Sequence, residues 1–179
     1  LYAGTIEPRK NLDLLLDAWL ELRRDRGDTL PLLLAGPYGW KSRALERRIA
    51  ALEGAGVRRL GRLERADLVA TVQAATLLLF PSFYEGFGLP AAEAMACGVP
   101  VVVGDRSSLP EVVGDGGLLI DPEDPFALAA ALGRLLDEAA LRADLGRRGV
   151  ERAQRFSWPQ GARRLADLFD ATLARGGAP

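Results

Sequence analysis

Short apolar runs alternate with longer amphipathic stretches along the chain. The run at 76–80, Thr-Leu-Leu-Leu-Phe, is apolar at nearly every position, which is typical of a strand buried on both faces. After Asn11, which we expect to cap a helix, Leu12, Leu15 and Leu16 begin a stripe along one helical face. The predicted strands are 1–4, 31–35, 57–60, 76–80, 101–103 and 118–120.

Six short strands that alternate with helices predict an α/β fold, a Rossmann-like three-layer domain built on a six-stranded parallel sheet. Right-handed crossovers favour the strand order 3-2-1-4-5-6. In that order strands 1 and 4 are neighbours at the switch point, so the loops that follow them, 5–10 and 82–89, flank one crevice. Open α/β sheets bind their ligands in this place.

The segment 82–98 reads Ser-Phe-Tyr-Glu-Gly-Phe-Gly-Leu-Pro-Ala-Ala-Glu-Ala-Met-Ala-Cys-Gly and predicts a glycine-bearing loop followed by a helix. Pro90 is expected at the first helical position, and Gly98 is expected to end the helix in a left-handed conformation. The first turn of a helix offers free N–H groups and a partial positive charge. This segment therefore predicts a phosphate-binding site.

Four charged residues belong to the two loops and the helix beside this crevice. Arg9 and Lys10 come from the first loop, whereas Glu85 and Glu93 come from the segment 82–98. Because helical side chains lean toward the N-terminus of their helix, Glu93 can reach a ligand bound there. Each of these residues alone is typical of a solvated surface, but together they favour a phosphate-bearing ligand.

Composition excludes several other classes of function. Lys+Arg 23 against Asp+Glu 24 gives a net charge of -1, which does not indicate a nucleic-acid-binding surface. With no histidine and one cysteine, the chain offers neither a disulfide framework nor a histidine base or metal ligand, and we expect no metal. No apolar run reaches the roughly 20 residues that span a bilayer, so we expect a cytoplasmic protein. Leu1 opens the chain in place of methionine, and we expect a fragment of a longer protein.

A dinucleotide-binding reading stays open as an alternative. Gly86, Gly88 and Ala91 match the pattern G-x-G-x-x-A, and Asp105 follows 19 positions after Gly86. However, the first glycine of that fingerprint follows its strand almost at once, whereas 81–85 intervenes here. The loop also follows strand 4 instead of the opening strand, so a nicotinamide cofactor is the minority interpretation.

Several motifs resemble the retaining, nucleotide-sugar-dependent glycosyltransferases of family 4, also called group 1. The resemblance covers nearly the whole chain and points to the C-terminal, donor-binding half of a GT-B enzyme. Gly-Thr-Ile-Glu-Pro-Arg-Lys-Asn at 4–11 is similar to the family's first loop. The stretch 80–93 carries its E-x7-E signature in Glu85 and Glu93, and 94–101 and 109–114 continue the match.

The resemblance implies roles for the matching residues. Glu85 would contact hydroxyls of the transferred sugar as the catalytic carboxylate, and Glu93 would bind the ribose hydroxyls. Lys10 and Arg9 would neutralise the leaving diphosphate, with Arg9 replacing the arginine that many members carry at the position of Thr5. Backbone amides would hold the sugar and the diphosphate, and a third loop would approach the base. The amides are those of Gly86, Phe87, Gly88 and Leu89, and the third loop contains Gly61 and Arg62.

The resemblance also implies the partners of the chain. Residues 1–158 would bind an NDP-sugar, with GDP-mannose the first expectation and a UDP-hexose the second, and no other cofactor. Residues 159–179 would form a helix that crosses back to an N-terminal domain, which would bring a glycan or lipid-linked acceptor. The full-length enzyme would be a hexosyltransferase, cytoplasmic or membrane-peripheral, whereas the isolated fragment would be inactive. A non-catalytic nucleotide-binding module of the same fold is the second interpretation.

Overall fold

The computed structural model describes residues 1–27, 30–124 and 126–176, apart from the side chains of 175–176. The strands are β1 Tyr2–Ala3, β2 Leu32–Ala35, β3 Val57–Gly61, β4 Leu78–Phe80, β5 Val101–Gly104 and β6 Leu118–Ile120. The helices are α1 Leu12–Arg26, α2 Arg43–Leu52, α3 Arg65–Gln73, α4 Leu89–Ala96, α5 Leu109–Val113, α6 Ala127–Asp137, α7 Ala139–Ala153 and α8 Trp158–Gly176. Short 3-10 turns lie at Pro8–Lys10, Glu53–Ala55 and Gln154–Phe156. The predicted α/β alternation is confirmed.

The strands form two parallel three-stranded sheets, with the orders β1-β2-β3 and β4-β5-β6. Between the sheets, Leu1 donates to the carbonyl of Leu77 at 3.0 Å and accepts from the amide of Leu79 at 2.8 Å. The predicted continuous sheet of order 3-2-1-4-5-6 is not confirmed. Because β1 has two residues, it offers too short an edge for a full ladder with β4.

One hydrophobic core extends through both sheets. Tyr2 and Leu34 of the first sheet belong to the same buried cluster as Phe80 and Val102 of the second. The Tyr2 and Phe80 rings stack with their centroids 5.9 Å apart. Helix α1 packs on α6, and α4 packs on α7. This shared core holds the loops at the ends of β1 and β4 in fixed positions.

Two expectations about helix ends are corrected. Asn11 does not cap α1: its φ of 57° is left-handed, and its Nδ2 donates to the carbonyl of Pro122 at 2.8 Å. The asparagine therefore ties the first loop to the turn after β6. Helix α4 begins at Leu89, so Pro90 is its second residue. Gly98 has the predicted left-handed conformation, with φ 74°.

Helix α8 has few contacts with the rest of the described chain. Its large apolar side chains, including Leu168 and Phe169, are exposed. The helix that was predicted for the segment 159–179 is present, but 177–179 lie outside the described residues, and its crossing to another domain remains a prediction. Among the described helices, none combines the length and the apolarity needed to cross a bilayer.

Candidate active site

A buried ion pair joins the loop after β1 to the loop after β4. Lys10 ends the 3-10 turn Pro8–Lys10, and its Nζ lies 2.5 Å from Oε1 of Glu85. Both residues are almost fully buried, with exposed fractions of 6% and 7%. The same Nζ lies 4.9 Å from the centre of the Phe80 ring, on β4. The loops after β1 and β4 therefore meet, as the sequence predicts.

Arg9 strengthens the same junction. Its Nη1 lies 3.3 Å from Oε2 of Glu85 and donates to the carbonyl of Tyr84 at 2.9 Å, and its Nε lies 2.5 Å from Glu7. In the backbone, the amide of Phe83 donates to the carbonyl of Arg9 at 2.9 Å. Partial burial opposes the charge of Arg9, but the carboxylates of Glu85 and Glu7 outweigh it and raise the pKa of the guanidinium. Two cations thus share one buried carboxylate.

Two serines hold the backbone of Glu85 from a third segment. The amide of Glu85 donates to Oγ of Ser107 at 2.8 Å, and Oγ of Ser108 donates to the carbonyl of Glu85 at 3.0 Å. Neither these serines nor Glu7 is predicted from the sequence. Both serines lie more than 20 residues from their partner in the sequence, and no periodicity or motif signals such a contact.

The glycine loop presents bare backbone to the crevice. Gly88 has φ 94°, and a Cβ added there would lie 2.6 Å from Cδ2 of Leu109, so this position requires glycine. Gly86 is exposed, and a Cβ there would meet nothing within 4 Å. Phe87 packs edge-on against Phe156 with ring centroids 5.4 Å apart. Within the described residues, no hydrogen bond uses the backbone amides of Gly86 and Gly88. Both N–H groups are therefore unpaired in this part of the chain, with Gly86 exposed and Gly88 buried.

The first turn of α4 also borders a cleft of about 240 Å³. The side chains of Glu93 and Arg62, both exposed, lie on its walls, and Thr5 lines it from the first loop. Its floor includes Gly36, where a Cβ would lie 1.9 Å from the carbonyl oxygen of Gly4. This cleft brings together residues from the loops after β1, β2 and β3 and from α4.

The predicted site residues therefore form two adjoining groups. The first contains Glu85 with Arg9 and Lys10, each of which contacts the Glu85 carboxylate. The second lines the cleft and contains Glu93 and Arg62. Gly61, which precedes Arg62, has φ 69° and accepts from the amide of Gly36 at 2.7 Å. Leu89, the first residue of α4, is exposed and follows the glycine loop; the next residue, Pro90, lines the cleft. Such a site offers two cations, free amides and two carboxylates. The described residues contain no group of three acidic or cysteine side chains arranged to hold a metal ion.

The chain is similar to known proteins over most of its length. The sequence profile of the family described as "Glycosyl transferases group 1" matches residues 1–152. The O-antigen chain mannosyltransferase B of Escherichia coli is 44% identical over 159 residues, which cover 88% of this chain and 42% of that protein.

Two solved structures have the same fold. The sucrose-phosphate synthase of Thermosynechococcus elongatus is 33% identical, with a TM-score of 0.84 over 97% of this chain and 45% of its own. The Anabaena protein Alr3699/HepE, solved in complex with UDP and glucose, is 25% identical, with a TM-score of 0.81 over 94% of this chain and 47% of its own. The chain spans less than half the length of each of these three proteins. The family profile, which covers most of the sequence, and the confirmed α/β fold place this chain in the group 1 glycosyltransferases.

Proposed function

We propose that this chain is the donor-binding half of a retaining glycosyltransferase, which transfers a hexose from an NDP-sugar to an acceptor. The observation that carries the proposal is the contact of Lys10 and Arg9 with buried Glu85 beside the free amides of the glycine loop. A diphosphate needs cations and N–H donors, whereas a sugar that gains positive charge needs a nearby carboxylate. These groups adjoin one another here.

Donor binding would use both groups of residues. The diphosphate would lie at the N-terminus of α4, near the amides of Gly86 and Gly88, where the helix favours negative charge. Lys10 and Arg9 would add charge-assisted hydrogen bonds. Glu93, on the wall of the cleft, would accept hydrogen bonds from the ribose hydroxyls, and the base would approach the loop of Arg62.

The reaction would break the bond between the anomeric carbon and the diphosphate oxygen, and the electron pair would leave with the diphosphate. The acceptor hydroxyl would bond to the same face of the anomeric carbon, and its proton would pass to the departing diphosphate. Negative charge grows on the diphosphate, which Lys10 and the helix end stabilise. Positive charge grows on the sugar, near Glu85. Positioning and charge stabilisation by fixed groups would supply most of the rate enhancement.

GDP-mannose is the first donor to test and a UDP-hexose the second. The Escherichia coli relative at 44% identity is named a mannosyltransferase, which supports mannose. The Anabaena structure at 25% identity holds UDP and glucose, which supports the second donor. The acceptor, a glycan or a lipid-linked sugar, would be brought by a further domain, in a cytoplasmic or membrane-peripheral enzyme.

A nucleotide titration tests the proposal. We expect the chain to bind GDP or UDP in calorimetry more tightly than ADP or NAD, and the natural-length protein to transfer sugar from the matching donor. The variant Glu93→Gln should weaken nucleotide binding, whereas Glu111→Gln, an exposed carboxylate in the first turn of α5, should not. Binding of NAD alone would support the dinucleotide interpretation. Nucleotide binding without transfer by the natural-length protein would support a non-catalytic module.

A further inference from the structure

Two hydroxyl groups hold the backbone of Glu85 on both sides of its side chain. Its amide donates to Ser107 at 2.8 Å, and its carbonyl accepts from Ser108 at 3.0 Å. Its carboxylate is meanwhile held by Lys10 and Arg9. The backbone and the side chain of one buried residue are therefore fixed by two separate segments, and only the side-chain contacts belong to the loop after β1.

Ser107 has a backbone conformation that is unusual for a residue with a side chain. Its φ is 54°, in the left-handed region, and its side chain is exposed, so core packing does not demand it. Such conformations persist where the surrounding structure determines them, and they cluster at functional sites. The neighbouring residues anchor the segment: Arg106 pairs with Asp121 at 2.9 Å, and the amide of Asp105 donates to Ile120 at 2.8 Å. The turn is thus fixed to β6.

The same segment supports the glycine loop at its other end. Leu109, which begins α5, lies so close to Gly88 that an added Cβ would come within 2.6 Å of its Cδ2. Leu109 itself is fully buried. The segment 105–109 therefore contacts the loop at Glu85 and again at Gly88, three residues later, and it connects both to the rigid end of β5.

We propose that Ser107 and Ser108 are positioning residues, which set the direction in which the Glu85 carboxylate faces the transferred sugar. The inference rests on the proposed function, because Glu85 is its point of action. Neither serine carries charge toward the diphosphate, which Lys10 and the amides of the glycine loop would hold. Loss of a hydroxyl should therefore lower kcat and leave nucleotide affinity unchanged. A misplacement of about 1 Å can lower a rate about 100-fold.

Four variants separate positioning from stability. Ser107→Gly removes the hydroxyl and also relieves the left-handed strain, which offsets part of the cost of the lost hydrogen bond. Ser108→Ala removes the second hydroxyl, whereas Ser108→Thr keeps it. Ser42→Ala is the matched control. Oγ of Ser42 also donates to a backbone carbonyl, that of Gly39 at 2.9 Å, but this loop does not contact Glu85.

The measurements are kcat, nucleotide Kd and melting temperature of the natural-length protein. We expect Ser107→Gly and Ser108→Ala to lower kcat by about 10- to 100-fold, with the Kd within about twofold of the parent. Ser107→Gly and Ser108→Ala should both remain folded at the assay temperature, and Ser108→Thr should restore kcat. A kcat of Ser107→Gly equal to that of Ser42→Ala, or a parallel rise in Kd, would overturn the inference.

Glu85→Gln separates this inference from the proposed function. If Glu85→Gln abolishes transfer while the serine variants match the control, the positioning role alone is overturned. If Glu85→Gln leaves kcat at the parental value, the catalytic role of Glu85 and the positioning role of the serines are both overturned, while the proposed transfer stands. If the parent protein transfers no sugar from any nucleotide-sugar, the proposed function itself is overturned.

Discussion

Replacing Lys10 by methionine tests how strongly the two crevice loops depend on one ion pair. Methionine keeps the length and apolar stem of the side chain but removes the ammonium group 2.5 Å from Oε1 of Glu85. Because only 7% of Glu85 is exposed, hydration of its carboxylate cannot replace the lost cation. The variant therefore leaves a buried negative charge that has lost its nearer cation.

The expected cost follows from the remaining contacts. At an effective dielectric constant of about 20, opposite charges about 4 Å apart attract by about 4 kcal/mol. Removing one partner of a buried pair costs about 3–5 kcal/mol. Because Arg9 stays 3.3 Å from the other carboxylate oxygen, we expect Lys10→Met to lower the free energy of unfolding by about 2–3 kcal/mol. In a chain of this size that corresponds to a fall in Tm of about 4–12 °C.

A double-mutant cycle in urea, followed by circular dichroism, measures the coupling. The double variant Lys10→Met/Glu85→Gln removes both charges, so its cost should fall short of the sum of the single costs by at least about 1.5 kcal/mol. Arg147→Met and Glu151→Gln form the control cycle. That pair is 2.8 Å apart with side chains 61% and 64% exposed, and its coupling should be about 0.3–0.5 kcal/mol. If the coupling at Lys10 is no larger than in the control cycle, the reasoning is refuted.

Three other predictions concern the glycine loop, one surface ion pair and the diphosphate site. Gly88→Ala should lower the free energy of unfolding by about 1–3 kcal/mol, through left-handed strain and contact with Leu109. Gly86→Ala should leave the free energy of unfolding unchanged but weaken nucleotide-sugar binding in calorimetry. The hydrogen bond from Arg26 lowers the pKa of Asp137 in the folded protein below its ordinary value of 3.8. This pair therefore stabilises the fold above about pH 4, and its contribution is lost as the pH falls through the pKa that Asp137 has in the folded state. Asp137→Asn should flatten the decline of Tm below about pH 4. Lys10→Met should weaken GDP or UDP binding by about 10- to 100-fold, and an unchanged Kd would remove the diphosphate role.

The strands were predictable because they depend on local patterns, and the meeting of the two loops followed from placing strands 1 and 4 side by side. Apart from β3, which contains Arg58 and Arg59, the strands are short apolar runs. The E-x7-E spacing places Glu85 before a helix and Glu93 within it. The continuous sheet did not follow from these patterns, since it requires β1 to pair along an edge that its two residues do not provide.

The contacts that the sequence did not reveal are long-range and polar. Asn11 is of a residue type that often caps helices, yet its side-chain amide donates to the carbonyl of Pro122, 111 residues away. The contacts of Ser107 and Ser108 with Glu85 likewise depend on how β5 lies beside β4. A polar loop gives no periodic signal, and its partners become defined only when the strands have set the distances between loops.

The bare floor of the cleft limits how this site can change. At Gly36 any side chain would run into the carbonyl oxygen of Gly4, 1.9 Å from the position of a Cβ, so the two backbones fix the depth of the cleft. Substitutions that change its shape fall on the other lining residues, among them Thr5, Arg62 and Glu93. Changes in the shape of this cleft must therefore come from its other lining side chains, because Gly36 has no room for a side chain beside Gly4.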